Sequence, residues 1–401
     1  MIFTTFWFVL FVCAFLAAYH LVRLPKARLA LLALASVAFY AHFSGPSGIA
    51  VIVTLGFVTY LAGRSARRLH IGLAIGLCAI ALVFYKYTLF LFGNLVQVIP
   101  GLAAFPVSEW APTVAPLAIS FFVFEFVHYM VDVRRGHEPI RSPLEFLVFA
   151  VFFPTLVAGP IKRYEQFLPA LKEGVAQARF FSADTQVGFI RVLVGFAKKF
   201  VADGLTMYVN GMAPAFEQQL LADRWLVFAA IAFRIYFDFS GYSDMAIGFS
   251  RMMGIRIAEN FNWPYLATGV REFWRRWHIS LSTWIRDYIY IPMGGQRVHP
   301  ALHALNLVAV FVICGLWHGA AWNFVLWGLY HGCGLVVQQM ARTWRSRLLA
   351  GFAPAPLAVA ARAGGAFGGW ALTTFFVWSG WLLFFYPAAK ALTMFKALFH
   401  A

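Results

Sequence analysis

The stretch His70-Ile-Gly-Leu-Ala-Ile-Gly-Leu-Cys-Ala-Ile-Ala-Leu-Val-Phe-Tyr-Lys-Tyr-Thr-Leu-Phe-Leu-Phe-Gly93 carries one charge, Lys86, in a run long enough to cross a bilayer. Hydrocarbon offers no water to backbone amides, so such a run reads as a spanning helix. Runs of the same kind recur at 3–22, 28–43, 48–63, 113–133, 143–160, 187–208, 224–250, 303–318, 320–340 and 366–388. Together they make about eleven candidate spans, with 224–250 long enough to be broken and several too short to stand upright. The composition of the 401 residues agrees: 62% are hydrophobic, 18% aromatic and 12% charged, and the mean hydropathy is +0.74. A soluble domain carries about 25% charged residues. The expected fold class is an all-α polytopic membrane protein, with 1–401 as one integral-membrane domain and no internal repeat.

Lys and Arg number 32 against 16 Asp and Glu, a net charge of +16. No basic stripe lies outside the apolar runs, which argues against nucleic acid as a partner and for the bilayer itself. Basic clusters follow the first span (Arg23, Lys26, Arg28), the third (Arg64, Arg67, Arg68) and the fifth (Arg134, Arg135). The segment 94–112 holds no Lys or Arg. These asymmetries predict an N-terminus outside, 94–112 outside and a cytoplasmic C-terminus. The first run lacks a basic n-region and a small-residue cleavage pattern, so it reads as a retained helix rather than a signal peptide. Cys13, Cys78, Cys314 and Cys333 form no CxxC pair, and neither a disulfide framework nor a zinc site follows.

Ionisable groups inside apolar runs are costly and ask for a reason. Glu125, His128 and Asp132 stand three and four apart, stacked on one helical face. A proton relay and a polar seam joining helices both remain open for them. Arg234 and Asp238 are one turn apart and are expected to neutralise each other, in an architectural group that extends to Asp244. Between 160 and 300 the alternation of spans falters, and Gly and Pro recur beside aromatic and charged residues, which predicts re-entrant or interfacial structure around a site.

Within that middle region, 271–288 says most. As one continuous helix it gathers Trp274, Trp277, Leu281, Trp284 and Tyr288 within an arc of about 80°. Arg271, Arg275, His278 and Ser282 then share a neighbouring arc of about 60°. An interfacial anchor shows the same division of faces. The other reading is a helix at a cavity mouth, with His278 facing in and the arginines set for a phosphorylated ligand.

A further cluster is Cys314-Gly-Leu-Trp-His-Gly-Ala-Ala-Trp-Asn-Phe-Val-Leu-Trp-Gly-Leu-Tyr-His-Gly332. A neutral imidazole at His318 can take a proton from a hydroxyl, and it can equally bridge two helices. Gly315 and Gly319 allow close approach to the backbone. Cys314, one turn before His318, has the position of a thiol nucleophile, although buried cysteines in apolar helices are ordinarily inert packing. Trp317 and Asn323 flank His318 and join Arg271, Arg275 and Ser282 as candidates for binding donor or substrate. HExxH, P-loop and strand-borne GxGxxG motifs are absent, so no metal and no bound cofactor is expected. His299 and His303, with Pro300 between them, read as a loop feature.

With these residues in view, the chain resembles the membrane-bound O-acyltransferases, in particular the bacterial branch of alginate O-acetylation and teichoic-acid D-alanylation proteins. The resemblance rests on Ala118-Ile-Ser-Phe-Phe-Val-Phe-Glu125, Phe153-Pro-Thr-Leu-Val-Ala-Gly-Pro-Ile161 and Tyr236-Phe-Asp-Phe-Ser-Gly-Tyr-Ser-Asp-Met-Ala-Ile-Gly248. It continues through Glu259-Asn-Phe-Asn-Trp-Pro-Tyr265, Arg271 to Ser282, Tyr288-Ile-Tyr-Ile-Pro-Met-Gly-Gly295 and Leu316-Trp-His-Gly-Ala320, in the family's order over about 118–332. It implies a helical bundle around a central funnel or tunnel, with His318 as catalytic base and His278 as the second family histidine. It implies an acyl group, acetyl by preference, passing from a cytoplasmic thioester (acetyl-coenzyme A or a phosphopantetheine carrier protein) to hydroxyls outside. The acceptor is then an extracytoplasmic polysaccharide or an intermediate acetyltransferase, and the location the bacterial inner membrane. D-alanyl transfer from a carrier thioester to an envelope polymer is the alternative within the family. A transporter and a structural scaffold are the alternatives outside it.

Overall fold

The computed structural model of the chain describes residues 2–349 and 357–400, and no strand occurs among the described residues. Five helical segments among them are long and apolar enough to cross a membrane: Pro25–Gly45, Gly48–Ser65, Arg68–Val98, Pro300–His318 and Gly365–Phe385. All five fall on runs read from the sequence. The chain is an all-helical polytopic membrane protein, and it divides into two compact units, 1–197 with 241–258 and 198–240 with 259–401.

The first unit opens with α1 (Phe6–Leu21), α2 (Pro25–Ser65), α3 (Arg68–Val98), the short α4 (Val107–Trp110), α5 (Ile119–Arg134), α6 (Pro143–Val151) and α7 (Tyr164–Gln177). In α2, Gly45 takes φ 69°, a value a side chain resists, and this kink separates the two spans expected at 28–43 and 48–63. The core is aromatic, with Phe8, Phe39, Phe122, Phe126, Phe149, Phe153 and Tyr242 all buried. The run 143–160 is not one helix. Ser142 caps the start of α6 by accepting from the Glu145 N–H, and the helix stops at Val151, three residues before Pro154, whose missing N–H and ring oppose continuation.

The helices α8 (Ala183–Met212) and α9 (Leu221–Met252) each contribute to both units. The break anticipated in 224–250 is absent, and α9 is one uninterrupted helix. The second unit adds α10 (Val270–Arg276), α11 (Ile279–Ile285), a π-helical turn (Arg286–Tyr290), α12 (Pro300–His318), α13 (Trp322–Leu349), α14 (Leu357–Phe385) and α15 (Ala388–Ala397). Helices α12 and α13 pack as a tight hairpin. A β-carbon at Gly315 would collide with the Phe324 carbonyl, and one at Gly328 with the Phe311 carbonyl, so only glycine permits this separation.

The continuous helix expected over 271–288 is interrupted. His278 sits in the left-handed region with φ 43° and splits the segment into α10 and α11. The loop before α10 takes up the freed backbone groups. The Asn262 N–H donates to the Arg276 carbonyl and the Ile279 N–H to the Asn260 carbonyl, both at 2.9 Å. Asn260 Oδ1 accepts from the Ser280 N–H at 3.2 Å and from its hydroxyl at 2.8 Å, acting as a cap from outside the helix. His303 also departs from expectation. Pro300 occupies the first helical turn of α12, where proline is tolerated, and His299 caps the end, so His303 lies inside a helix rather than in a loop.

Candidate functional site

Three of the proposed binding residues, Arg271, Arg275 and Ser282, line one cavity of about 610 Å³ in the second unit. Arg286 and Arg342 share its lining, with Gln338 and Gln339 from α13. Arg276 is tied to Glu272 at 2.6 Å, and Arg286 to Asp287 at 2.7 Å. The Thr268 N–H, with Arg276 adding to it, holds the Glu272 carboxyl below its usual range. Arg271, Arg275 and Arg342 have no carboxylate partner among the described residues. Three exposed guanidinium groups without counter-charges at one cavity favour an anionic ligand, and their planar forks suit phosphate. The walls beyond are Trp274, Val310, Phe311 and Cys314, the last one helical turn before His318.

His278 does not face this cavity, contrary to the helical-wheel expectation. The break at its own backbone turns the ring inward, where it is 2% exposed, 4.6 Å from the Phe239 ring and 6.1 Å from Trp317. Its Nε2 has no hydrogen-bond partner among the described residues. Trp317 also contacts His318, 4.9 Å between ring centroids, so the two histidines flank one indole. His318 is half-buried at the C-terminus of α12, against Trp327 at 5.3 Å and Phe384 at 5.1 Å. Asn323 is used otherwise: its amide donates to the Phe384 carbonyl at 3.3 Å.

The polar seam divides. In the first unit Glu125 receives the Lys162 ammonium at 2.7 and 2.9 Å, and Lys162 also donates to Thr155 Oγ1 at 3.1 Å. His128 lies 3.2 Å from the Phe124 carbonyl, and Asp132 pairs with Arg135 at 3.2 Å. Each of the three thus turns to a different partner. Asp244 pairs with Arg191 at 2.9 Å in the same unit. In the second unit Asp238 pairs with Lys199 at 2.9 Å, and Arg234 lies over the Phe385 ring at 4.1 Å. The expected Arg234–Asp238 ion pair is therefore replaced by these two separate contacts, because Lys199 supplies the nearer cation.

The sequence reading missed a network at the cavity: the Tyr290 hydroxyl meets His303 Nε2 at 2.7 Å, and the Gln339 amide meets His303 Nδ1 at 3.0 Å. A signal existed in the polar pair Gln338-Gln339 at the end of the apolar run 320–340.

The two histidines and the arginine-lined cavity thus lie in one compact unit, which also holds two helices long and apolar enough to cross a bilayer. The sequence matches the membrane-bound O-acyltransferase family over residues 119–378, and the chain belongs to that family. It is 38% identical to the probable alginate O-acetylase AlgI of Azotobacter vinelandii over 83% of this chain and 67% of that one. Identity is 33% with the peptidoglycan O-acetyltransferase of Helicobacter pylori, over 77% and 64% of the two chains. It is 30% with the teichoic acid D-alanyltransferase of Bacillus subtilis, over 58% and 60%. The matched part of the chain spans about two thirds of the length of such relatives.

Proposed function

We propose that this O-acyltransferase moves an acetyl group from a cytoplasmic thioester to hydroxyls of an extracytoplasmic polysaccharide, directly or through a second transferase. The observation that carries the reading is the cavity that joins unpaired Arg271 and Arg275 to Cys314, one turn before His318. The arginines would hold the phosphates of coenzyme A or of a carrier's phosphopantetheine, and the apolar walls its pantetheine arm. No metal or bound cofactor takes part in this scheme. The acceptor oxygen attacks the thioester carbon while His318 takes its proton, and the carbonyl electron pair moves onto oxygen. Collapse of the adduct forms the ester and expels the thiolate, which takes the proton back from His318. His278 holds the donor arm or the oxyanion. Positioned proton transfer of this kind is worth roughly 10²–10⁴ in rate.

Acetyl is favoured over D-alanyl because the relatives matched over more of the chain are named for O-acetylation. The full scheme has about eleven spans in one inner-membrane domain around a funnel, with the N-terminus and 94–112 outside and the C-terminus inside. Mass spectrometry of surface polysaccharide from a deletion strain should show loss of acetyl esters that the parent gene restores. Unchanged acetyl content with lost D-alanine would transfer the reading to the alternative, and no change in either would remove it.

A further inference from the structure

Beside His318 stands a group of rings whose nitrogens have no part in the scheme above. His331 is fully buried, and neither of its ring nitrogens has a hydrogen-bond partner among the described residues. The Nε1 atoms of Trp274 and Trp327, in side chains 8% and 1% exposed, are likewise without partners. These are not scattered orphans. The Trp274 and His331 rings lie 5.1 Å apart at 88°, Trp327 and His331 4.9 Å apart, and Trp274 and Trp327 5.7 Å apart. Trp274 also lines the arginine cavity, and Trp327 packs edge-on against His318. The trio thus links the proposed donor cavity to the proposed base.

A buried polar atom is normally bonded, and leaving one unbonded is unfavourable. Packing alone would be better served by Phe, which fills an aromatic box without polar atoms. The other neighbours of His331, Tyr330, Phe311, Phe376 and Trp381, form such a box. Even the position of the ring is constrained, since a β-carbon at Gly380 would sit 2.6 Å from His331 Nε2. Indole N–H groups only donate, and a neutral imidazole donates from one nitrogen. Three unused donors grouped in apolar surroundings suit an oxygen that gains negative charge, and such donors stabilise it most where water is excluded.

We propose that Trp274, Trp327 and His331 form the site for the thioester carbonyl oxygen, holding it as it becomes the oxyanion. The assignment rests on the acyl-transfer reading and leaves His278 to hold the donor arm. In the step, the carbonyl π pair moves to oxygen as the acceptor's oxygen bonds to carbon, and it returns as the carbon–sulfur bond breaks; the trio donates hydrogen bonds throughout and transfers no proton.

The test uses the full-length protein in bilayer discs, with acetyl-coenzyme A as thioester probe and release of free thiol as readout. His331→Phe should lower kcat about 100-fold, the loss typical of one oxyanion donor, with KM changed less than about threefold. Its unfolding temperature should hold or rise, because the replacement removes unbonded nitrogens. His331→Gln, which keeps an N–H donor, should recover at least about tenfold of the loss. A His331→Phe protein with kcat within about threefold of the parent overturns the assignment. So does a parallel fall of kcat and unfolding temperature in both variants. A dead His318→Ala beside a fully active His331→Phe defeats this inference alone, whereas a fully active His318→Ala defeats the acyl-transfer reading and this inference with it.

Discussion

Around Lys162 in the first unit, the ammonium meets both oxygens of Glu125 and the Thr155 hydroxyl, with Phe149, Phe152 and Phe167 rings about it. Around His331 in the second unit, imidazole and indole nitrogens lie equally deep among aromatic rings and bond to nothing described. Both are polar groups in apolar surroundings, and by sequence they look alike. The difference lies in satisfaction: a closed set of charges holds helices together, whereas an open set of donors still has hydrogen bonds to offer. The same contrast separates Arg276 and Arg286, each paired with its own carboxylate, from Arg271 and Arg275 at the cavity.

The closed set should respond to loss of a partner by unfolding. Lys162→Met strands a buried carboxylate and should destabilise the protein by about 3–5 kcal/mol, read as a large drop in thermal midpoint. Replacing Glu125 by Leu in the same chain should restore most of that loss, because two apolar side chains serve a structural seam as well as an ion pair does. A folded but inactive double variant would instead give Glu125 or Lys162 a part in the reaction and erase the contrast.

At the open cavity the prediction is the reverse: little change in stability and a change in binding. Arg275→Ala should raise KM for acetyl-coenzyme A by roughly tenfold, the loss of one charge-assisted contact, and leave the unfolding midpoint in place. Arg275→Lys should recover only part, since an ammonium cannot bind phosphate with two parallel bonds. An unchanged KM in both would return 271–288 to the role of an interfacial anchor.

The smallest effect belongs to a surface cluster of the first unit. Against the upward push of partial burial, hydrogen bonds from Arg256 and Arg251 hold the Asp184 carboxyl below its usual range. A lowered folded pKa gives stability that is fully present above the ordinary carboxylate value and is lost as pH falls through the lowered one. Parent and Asp184→Asn should therefore differ slightly in unfolding temperature at about pH 7, and the difference should shrink as pH falls below the ordinary aspartate value of about 3.9 and through the lowered one. A difference that persists at the acidic end would show that the aspartate acts by packing rather than charge.

The spanning helices were legible because a bilayer demands long apolar runs, and the helix start at Pro25 and the stop before Pro154 are local chemistry. The break at His278 was not, because the groups that cap it, Asn260 and Asn262, come from a loop sixteen to eighteen residues upstream. A helical wheel assumes that the backbone continues, and so it put His278 beside Arg271 and Arg275. The two arginines lie within the single short helix α10, where the i, i+4 rule still holds, and they do share the cavity. Arg234 and Asp238 show the opposite failure: their spacing permits a pair, but Lys199 of α8 meets the aspartate first. Nothing in spacing reveals which buried nitrogens lack partners, so the His331 cluster became visible only in three dimensions.

The central claim, that His318 is the base for O-acyl transfer, is tested most directly by the initial rate of a purified His318→Gln protein with its unfolding temperature measured alongside. Gln keeps the volume and a hydrogen-bonding group but cannot take a proton at neutral pH. The expected result is a stable, donor-binding protein as inactive as His318→Ala. A stable His318→Gln protein that transfers acyl groups at the parental rate would contradict it and make His318 a bridge between helices.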